Sequence, residues 1–225
     1  MIATIGGIKG GSGKSTIATN LAVISAIRGE DVLLIDADDQ ETASDFTILR
    51  NEQHPDKPSY TSIKLNGAAV RTETARLADK YETIIIDTGG RDTSSQRAAL
   101  SISNMVLVPF VPRSFDVWTL EKVGGLVEEM RAVNPDLAAY AFINRADPRG
   151  HDNEEACEVI KETPQLDFID CSIGIRKAFG NAAASGLSVI ETKPKDAKAN
   201  HEIITLYQHC FNVKVTLPLL EVVGV

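Results

Sequence analysis

Apolar residues fall along this chain in short unbroken runs rather than in strict alternation. Ile2 to Ile5 forms one run and stops at Gly6-Gly7. Asp31 to Ile35 forms a second and leads into the acidic cluster Asp36-Ala-Asp38-Asp39, and Tyr81 to Ile86 forms a third that ends on Asp87. Met105 to Val108 and Ala138 to Ile143 supply two more. Between these runs the apolar period lengthens to that of a helix. Ser15 to Arg28 is closed by Gly29 in the position after the helix end, and Val117 to Ala132 has the same period. Continuous apolar strands separated by helices are what a parallel sheet covered on both faces requires, so the pattern predicts an α/β fold with a mostly parallel sheet. The polar stretch Asn51 to Ser59 reads as a loop. The tail after Phe211 is apolar, β-branched and broken by Pro218, which fits an edge strand or a frayed terminus. With no repeat, low-complexity segment or heptad pattern, residues 1–225 read as one domain.

Composition narrows the function. A chain of 225 residues with 43% hydrophobic content can bury a sizeable core, which excludes wholesale disorder. Its 23 basic and 31 acidic residues give a net charge of −8, so its surface as a whole repels polyanions. Nucleic-acid contact would need a local basic patch. Cys157, Cys171 and Cys210 are scattered, form no CxxC pair and read as buried hydrophobes. The start MIATIGGIKGG lacks the pattern of a secretory signal, and no run of 18 apolar residues is present. The expected location is the cytoplasm.

The chemistry lies first in Lys9-Gly10-Gly11-Ser12-Gly13-Lys14-Ser15-Thr16, between the first strand and the first helix. Glycines let backbone N–H groups converge on a phosphate, and the helix start adds the positive end of its dipole. Lys14 supplies a cation for the β- and γ-phosphates, and the Ser15 hydroxyl can ligate Mg²⁺. The strict GxxxxGK[ST] pattern is missed, because Ile8 stands at its first glycine. The acids sit at strand ends, where ligands of parallel sheets bind. Asp36 and Asp38 face that crevice, with a solvated acidic turn as the alternative. Asp87, after Ile84-Ile85-Ile86, fits an acid that holds Mg²⁺ through water, with a strand-end cap as the alternative.

The form KGGSGKST resembles the deviant Walker A motif of the ParA/MinD superfamily of P-loop ATPases. The resemblance implies the P-loop fold, ATP and Mg²⁺ as ligands, and a dimer closed around nucleotide, with Lys9 reaching the partner's nucleotide. It also implies that Asp36 helps hold the water shell of Mg²⁺, and that Asp38 orients or deprotonates the attacking water. Two departures stand out: Asp36-Ala-Asp38-Asp39-Gln40 replaces DxDPQ, and Asp87-Thr-Gly-Gly90 replaces DxPP. Glycines at 89 and 90 are expected to loosen that switch segment. Val106 to Asp116 is similar to the VxPxxPSxxD segment near the family's dimer interface. Asn144 is placed like the family's adenine-contacting Asn, with a turn-forming Asn as the alternative, and Ile175 onward resembles the C-terminal part of small ParA proteins.

The same resemblance implies a small partition ATPase that binds DNA non-specifically and is released when a ParB-like or other centromere-binding partner stimulates hydrolysis. Such a protein would be nucleoid-associated when ATP-bound. The chain opens directly on a strand, so an operator-binding helix-turn-helix extension is not expected. The tail carries one lysine, Lys214, rather than a basic amphipathic helix, so stable membrane association is not expected either. Arg176, Lys177, Lys193, Lys195 and Lys198 form the candidate DNA patch, and such a cluster also fits a plainly solvated face. A positioning ATPase for a non-DNA cargo and a MinD-like membrane regulator are the alternatives.

Overall fold

The computed structural model describes residues 1–112, 117–149, 151–213 and 215. Its strands are β1 (Ile2–Ile5), β2 (Val32–Ala37), β3 (Thr61–Lys64), β4 (Thr83–Thr88), β5 (Met105–Phe110), β6 (Ala138–Ala146) and β7 (Asp167–Gly174). They form one sheet in the order β3-β2-β4-β1-β5-β6-β7, and every pairing is parallel. The helices are α1 (Lys14–Ile27), α2 (Thr42–Gln53), α3 (Ala68–Leu77), α4 (Ser94–Leu100), α5 (Val117–Arg131), α6 (Asp152–Lys161), α7 (Lys177–Ala183) and α8 (Ala197–Phe211).

Alternate residues of the central strands feed opposite faces, as the pleat requires. On β2 and β4, Leu34 and Ile85 pack with Ile17, Leu21 and Ile24 of α1 and with Ile203 and Tyr207 of α8. Their neighbours Leu33, Ile35, Ile84 and Ile86 pack on the other side with Val70 of α3 and Ala99 of α4. A third cluster fills the space between β5, β6 and helices α5 and α6. The expected helices on both faces are therefore present, and α1 is buried almost all round.

Several boundaries move for physical reasons. β2 and β4 run past Ile35 and Ile86 because their pairing continues through Asp36 opposite Asp87 and Ala37 opposite Thr88. Asp36 and Asp87 thus belong to the last rungs of the ladder, whereas Asp38 lies just beyond β2. β5 extends through Pro109 to Phe110. β1 stops at Ile5, opposite Leu107, so the missing proline N–H removes no bond on that side. Asn51 to Gln53 finish α2, so the expected loop starts only at His54. Residues 113–116 of the Val106–Asp116 segment, and the tail from 216, lie outside the described residues. Among those described, no helix is long and apolar enough to cross a membrane.

Candidate nucleotide and magnesium site

The glycine loop leaves β1 and enters α1 at the carboxyl ends of the central strands. Gly13 sits at φ 90°, in the left-handed region that favours glycine, and a Cβ there would collide with the Asn144 amide nitrogen. That closeness is used. Asn144 Nδ2 donates to the Ser12 carbonyl at 2.6 Å, and Arg145 Nη1 donates to the Gly11 carbonyl at 3.2 Å. With these carbonyls drawn toward β6, the loop is braced from behind. Lys14, the first residue of α1, is buried, and its ammonium donates to the Lys9 carbonyl at 2.9 Å.

Three carboxylates stand beside this loop, each in a different environment. Asp36 is buried and fully directed: Oδ2 accepts from both the N–H and the hydroxyl of Ser44 at 2.8 Å, and Oδ1 accepts from the Asp38 N–H at 3.2 Å. Asp38 is half-buried and lies against Gly89, with its Oδ1 accepting the Gln40 N–H at 3.2 Å. Asp87 is fully buried, and neither of its carboxylate oxygens has a hydrogen-bond partner. Burial pushes the Asp87 carboxyl up to about 7, with Asp36 and Asp38 adding to the rise while the Ser15 hydroxyl and Lys14 oppose it. Burial likewise lowers the Lys14 ammonium, against the pull of Asp87 and Asp38.

A buried carboxylate without a partner, aimed at a phosphate loop, fits a cation that arrives with its ligand. Among the described residues no three acids, histidines or cysteines converge as a direct metal cage. Together with substrate phosphates and several retained waters, Mg²⁺ takes one or two protein ligands, which a buried carboxylate beside the Ser15 hydroxyl can supply. Ser15, Asp87 and the Ser44-held Asp36 would hold it.

An open cleft of about 710 Å³ runs over the loop, between Gly10, Lys14 and Thr16 on one side and Asp38, Gly90 and Arg91 on the other. Gly11, Gly13 and Ser15 also line it. A second cavity of about 240 Å³ adjoins Gly13 and Thr16 and is walled by Asn144, Ile173 and Phe179. The structure therefore brings the phosphate loop and all three acids to one place, with Asn144 beside them. Asn144 has one of its two amide N–H groups committed to the Ser12 carbonyl.

The candidate DNA residues lie elsewhere. Lys177, Lys193, Lys195 and Lys198 are exposed around the start of α7 and the start of α8. Arg176 differs from them: its Nε donates to Glu202 Oε2 at 2.9 Å, so its charge is neutralised within the chain. Cys171 and Cys210 are buried as expected, whereas Cys157 is half-buried. Sequence reasoning passed over Ser44, Arg91 and Arg145. Arg145 had a signal in its place directly after Asn144, although its left-handed φ of 57° had none.

The family description CobQ/CobB/MinD/ParA nucleotide binding domain matches residues 3–189. A maintenance of carboxysome distribution protein A from Halothiobacillus neapolitanus is 24% identical over 201 residues, covering 88% of this chain and 91% of that protein. The chromosome-partitioning ATPase Soj of Thermus thermophilus is 29% identical over 164 residues, covering 60% and 65%. Among solved structures, a Cyanothece McdA–ATP complex superposes with a TM-score of 0.77 at 17% identity, covering 96% of this chain and 98% of that one.

Proposed function

The chain belongs to the CobQ/CobB/MinD/ParA family of nucleotide-binding domains, and we propose that it works as a ParA-type positioning ATPase, switched between monomer and dimer by its nucleotide. As a P-loop ATPase of the ParA/MinD kind it takes ATP with Mg²⁺. The observation that carries the rest is the partnerless, buried Asp87 carboxylate beside Lys14 and Ser15, with Asp38 facing the same cleft.

In this reading the N–H groups of Gly10 to Thr16 and the Lys14 ammonium bind the phosphates, and the Lys14 bond to the Lys9 carbonyl is exchanged for them. Mg²⁺, when bound, would supply positive charge to the phosphates. Ser15 and Asp87 hold it, with Asp36 fixed behind them by Ser44. Asp38, the most accessible of the three acids, orients the attacking water and takes up its proton. The apolar wall of Ile173 and Phe179 receives the base. Lys9 acts across the dimer on the partner's nucleotide, so that closure and hydrolysis are coupled.

The dimer binds DNA non-specifically through Lys177, Lys193, Lys195 and Lys198, doubled by the twofold axis, and a ParB-like or other centromere-binding partner stimulates hydrolysis and release. The cargo is then a plasmid or chromosome, and the protein resides in the cytoplasm, on the nucleoid when ATP-bound. A second reading, a protein-body cargo, is favoured by the near full-length match to a carboxysome distribution protein. Both readings share the cycle and the DNA track.

The test is ATP turnover together with DNA retention. Lys14→Ala and Asp38→Ala should each abolish turnover, and unchanged rates in both would sink the catalytic assignment. DNA should be retained with ATP but not ADP, with affinity falling by a log–log salt slope of about one per phosphate contact. Retention insensitive to salt or to nucleotide would remove the DNA half.

A further inference from the structure

The segment after β4 touches the phosphate loop more closely than a side chain would permit. A Cβ on Gly90 would lie 2.6 Å from both the N and the Cα of Gly10 and 2.8 Å from the carbonyl carbon of Lys9. All three are backbone atoms that cannot swing aside. A Cβ on Gly89 would lie 3.2 Å from Asp38 Oδ1. The two glycines therefore run between the carboxylate assigned to the attacking water and the start of the phosphate loop. The residue delivered by this close approach is Arg91, whose exposed side chain lines the cleft together with Gly10, Gly11, Lys14 and Asp38.

Arg91 is also uncommitted. Among the described residues nothing hydrogen-bonds or ion-pairs with its guanidinium. Arg97, six positions on, is held by Asp92 and Glu129, and Arg145 spends a donor on the Gly11 carbonyl. A planar cation that is always charged, at the mouth of an anion site and without an acidic partner, matches the recognition of a phosphoryl group.

We infer that Arg91 is a further catalytic residue for ATP hydrolysis, contacting the γ-phosphate of the nucleotide bound by its own chain. This rests on the ATPase reading above and adds a cation to it that the motif does not contain. As the water oxygen bonds to the γ-phosphorus, the bond from that phosphorus to the β–γ bridging oxygen breaks. The electron pair leaves with ADP, and the water's proton passes to Asp38. Negative charge on the γ-oxygens and the bridge is greatest midway, so a guanidinium aimed there lowers the barrier more than it strengthens binding. Gly90 is the positioning residue, since a Cβ there would collide with the Gly10 backbone.

The experiment compares wild type, Arg91→Ala and Arg91→Lys for kcat and KM, and for the affinities of ATP and ADP by direct titration. Arg91→Ala should lower kcat by about 100-fold and narrow the preference for ATP over ADP, with ADP affinity unchanged. Arg91→Lys should recover part of kcat, because charge is kept and the planar fork is lost. Equal kcat in Arg91→Ala overturns the proposal, as does a parallel fall in ADP affinity, which would mark a merely structural role. Mixing Arg91→Ala with Asp38→Ala separates action within one chain from action across a dimer. Activity recovered on mixing would place the arginine on the partner's nucleotide and overturn the assignment to its own chain. If wild type neither binds nor turns over ATP, the ATPase reading itself has failed; if wild type is active and Arg91→Ala equals it, only this inference has.

Discussion

Ser44 donates two hydrogen bonds, from its backbone N–H and its hydroxyl, to the same oxygen of Asp36. The contact joins the first turn of α2 to the end of β2 and fixes a carboxylate that is 2% exposed. Removing the hydroxyl leaves Oδ2 one donor where it had two, with the Asp38 N–H still on Oδ1.

Ser44→Ala should therefore destabilise the fold by about 1.5–3 kcal/mol, the range for a hydrogen bond to a charged group, as read by urea unfolding. It should also raise the Mg²⁺ concentration for half-maximal turnover by about tenfold, since outer-shell partners tune metal ligands to that extent. A Mg²⁺ titration with unchanged midpoint would show that Asp36 takes no part in holding the ion.

The Asn144 bond to the Ser12 carbonyl separates two roles for this residue. If it braces the loop, Asn144→Ala should weaken ATP and GTP binding by the same factor, because the phosphates are common to both. If its amide reads the adenine edge, ATP alone should weaken. The 2.6 Å bond to Ser12 favours equal loss. Competition titrations with the two nucleotides decide it.

Much of this site was legible in the sequence, because its requirements are local. A phosphate cradle needs glycines, a lysine and a hydroxyl within a few residues, and all stand in Lys9 to Thr16. Asp36 and Asp87 were legible as the ends of apolar runs, since a buried parallel strand changes character where it reaches its ligand. What could not be read depends on residues far apart in the chain. The contact of Gly90 with Gly10 is made by strands β1 and β4 lying side by side. The neutralisation of Arg176 requires Glu202 on α8 to face the end of β7. β3 escaped notice because its four residues are exposed or half-buried at the sheet edge and carry no apolar run.

The thiols give a prediction from burial and acidity together. Burial pushes both Cys171 and Cys210 up to about 12, and it raises Cys157 as well at its half-buried site. A raised thiol pKa leaves less thiolate at pH 8, and thiolate is the reactive form. A thiol reagent should thus modify Cys157 slowly in the folded protein and leave the other two intact, whereas all three should react in denaturant. Rapid labelling of Cys210 in native buffer would contradict the packing of α8 against the sheet.

The far end of α2 is anchored by an ion pair that should behave differently from a surface one. Arg50 and Glu191 are 2% and 3% exposed, with Arg50 Nη1 at 2.8 Å from Glu191 Oε2 and Nη2 at 3.0 Å from Oε1. Two further donors, on Nη1 and Nη2 of Arg50, reach the carbonyls of Gly186 and Pro58, and Glu191 also accepts from the Ser188 N–H. Every charge is satisfied, so loss of Glu191 strands the guanidinium in a dry site, and loss of Arg50 leaves the carboxylate only the partly exposed Lys57 ammonium at 3.5 Å. Arg50→Met or Glu191→Leu alone should cost about 3–5 kcal/mol in urea unfolding. The double variant should cost much less than the two single losses combined, because no buried charge is left unpaired and Lys57 can turn to solvent. Additive losses would mean that the guanidinium serves the Gly186 and Pro58 carbonyls more than the carboxylate, and that α2 is held by its loops rather than by the pair.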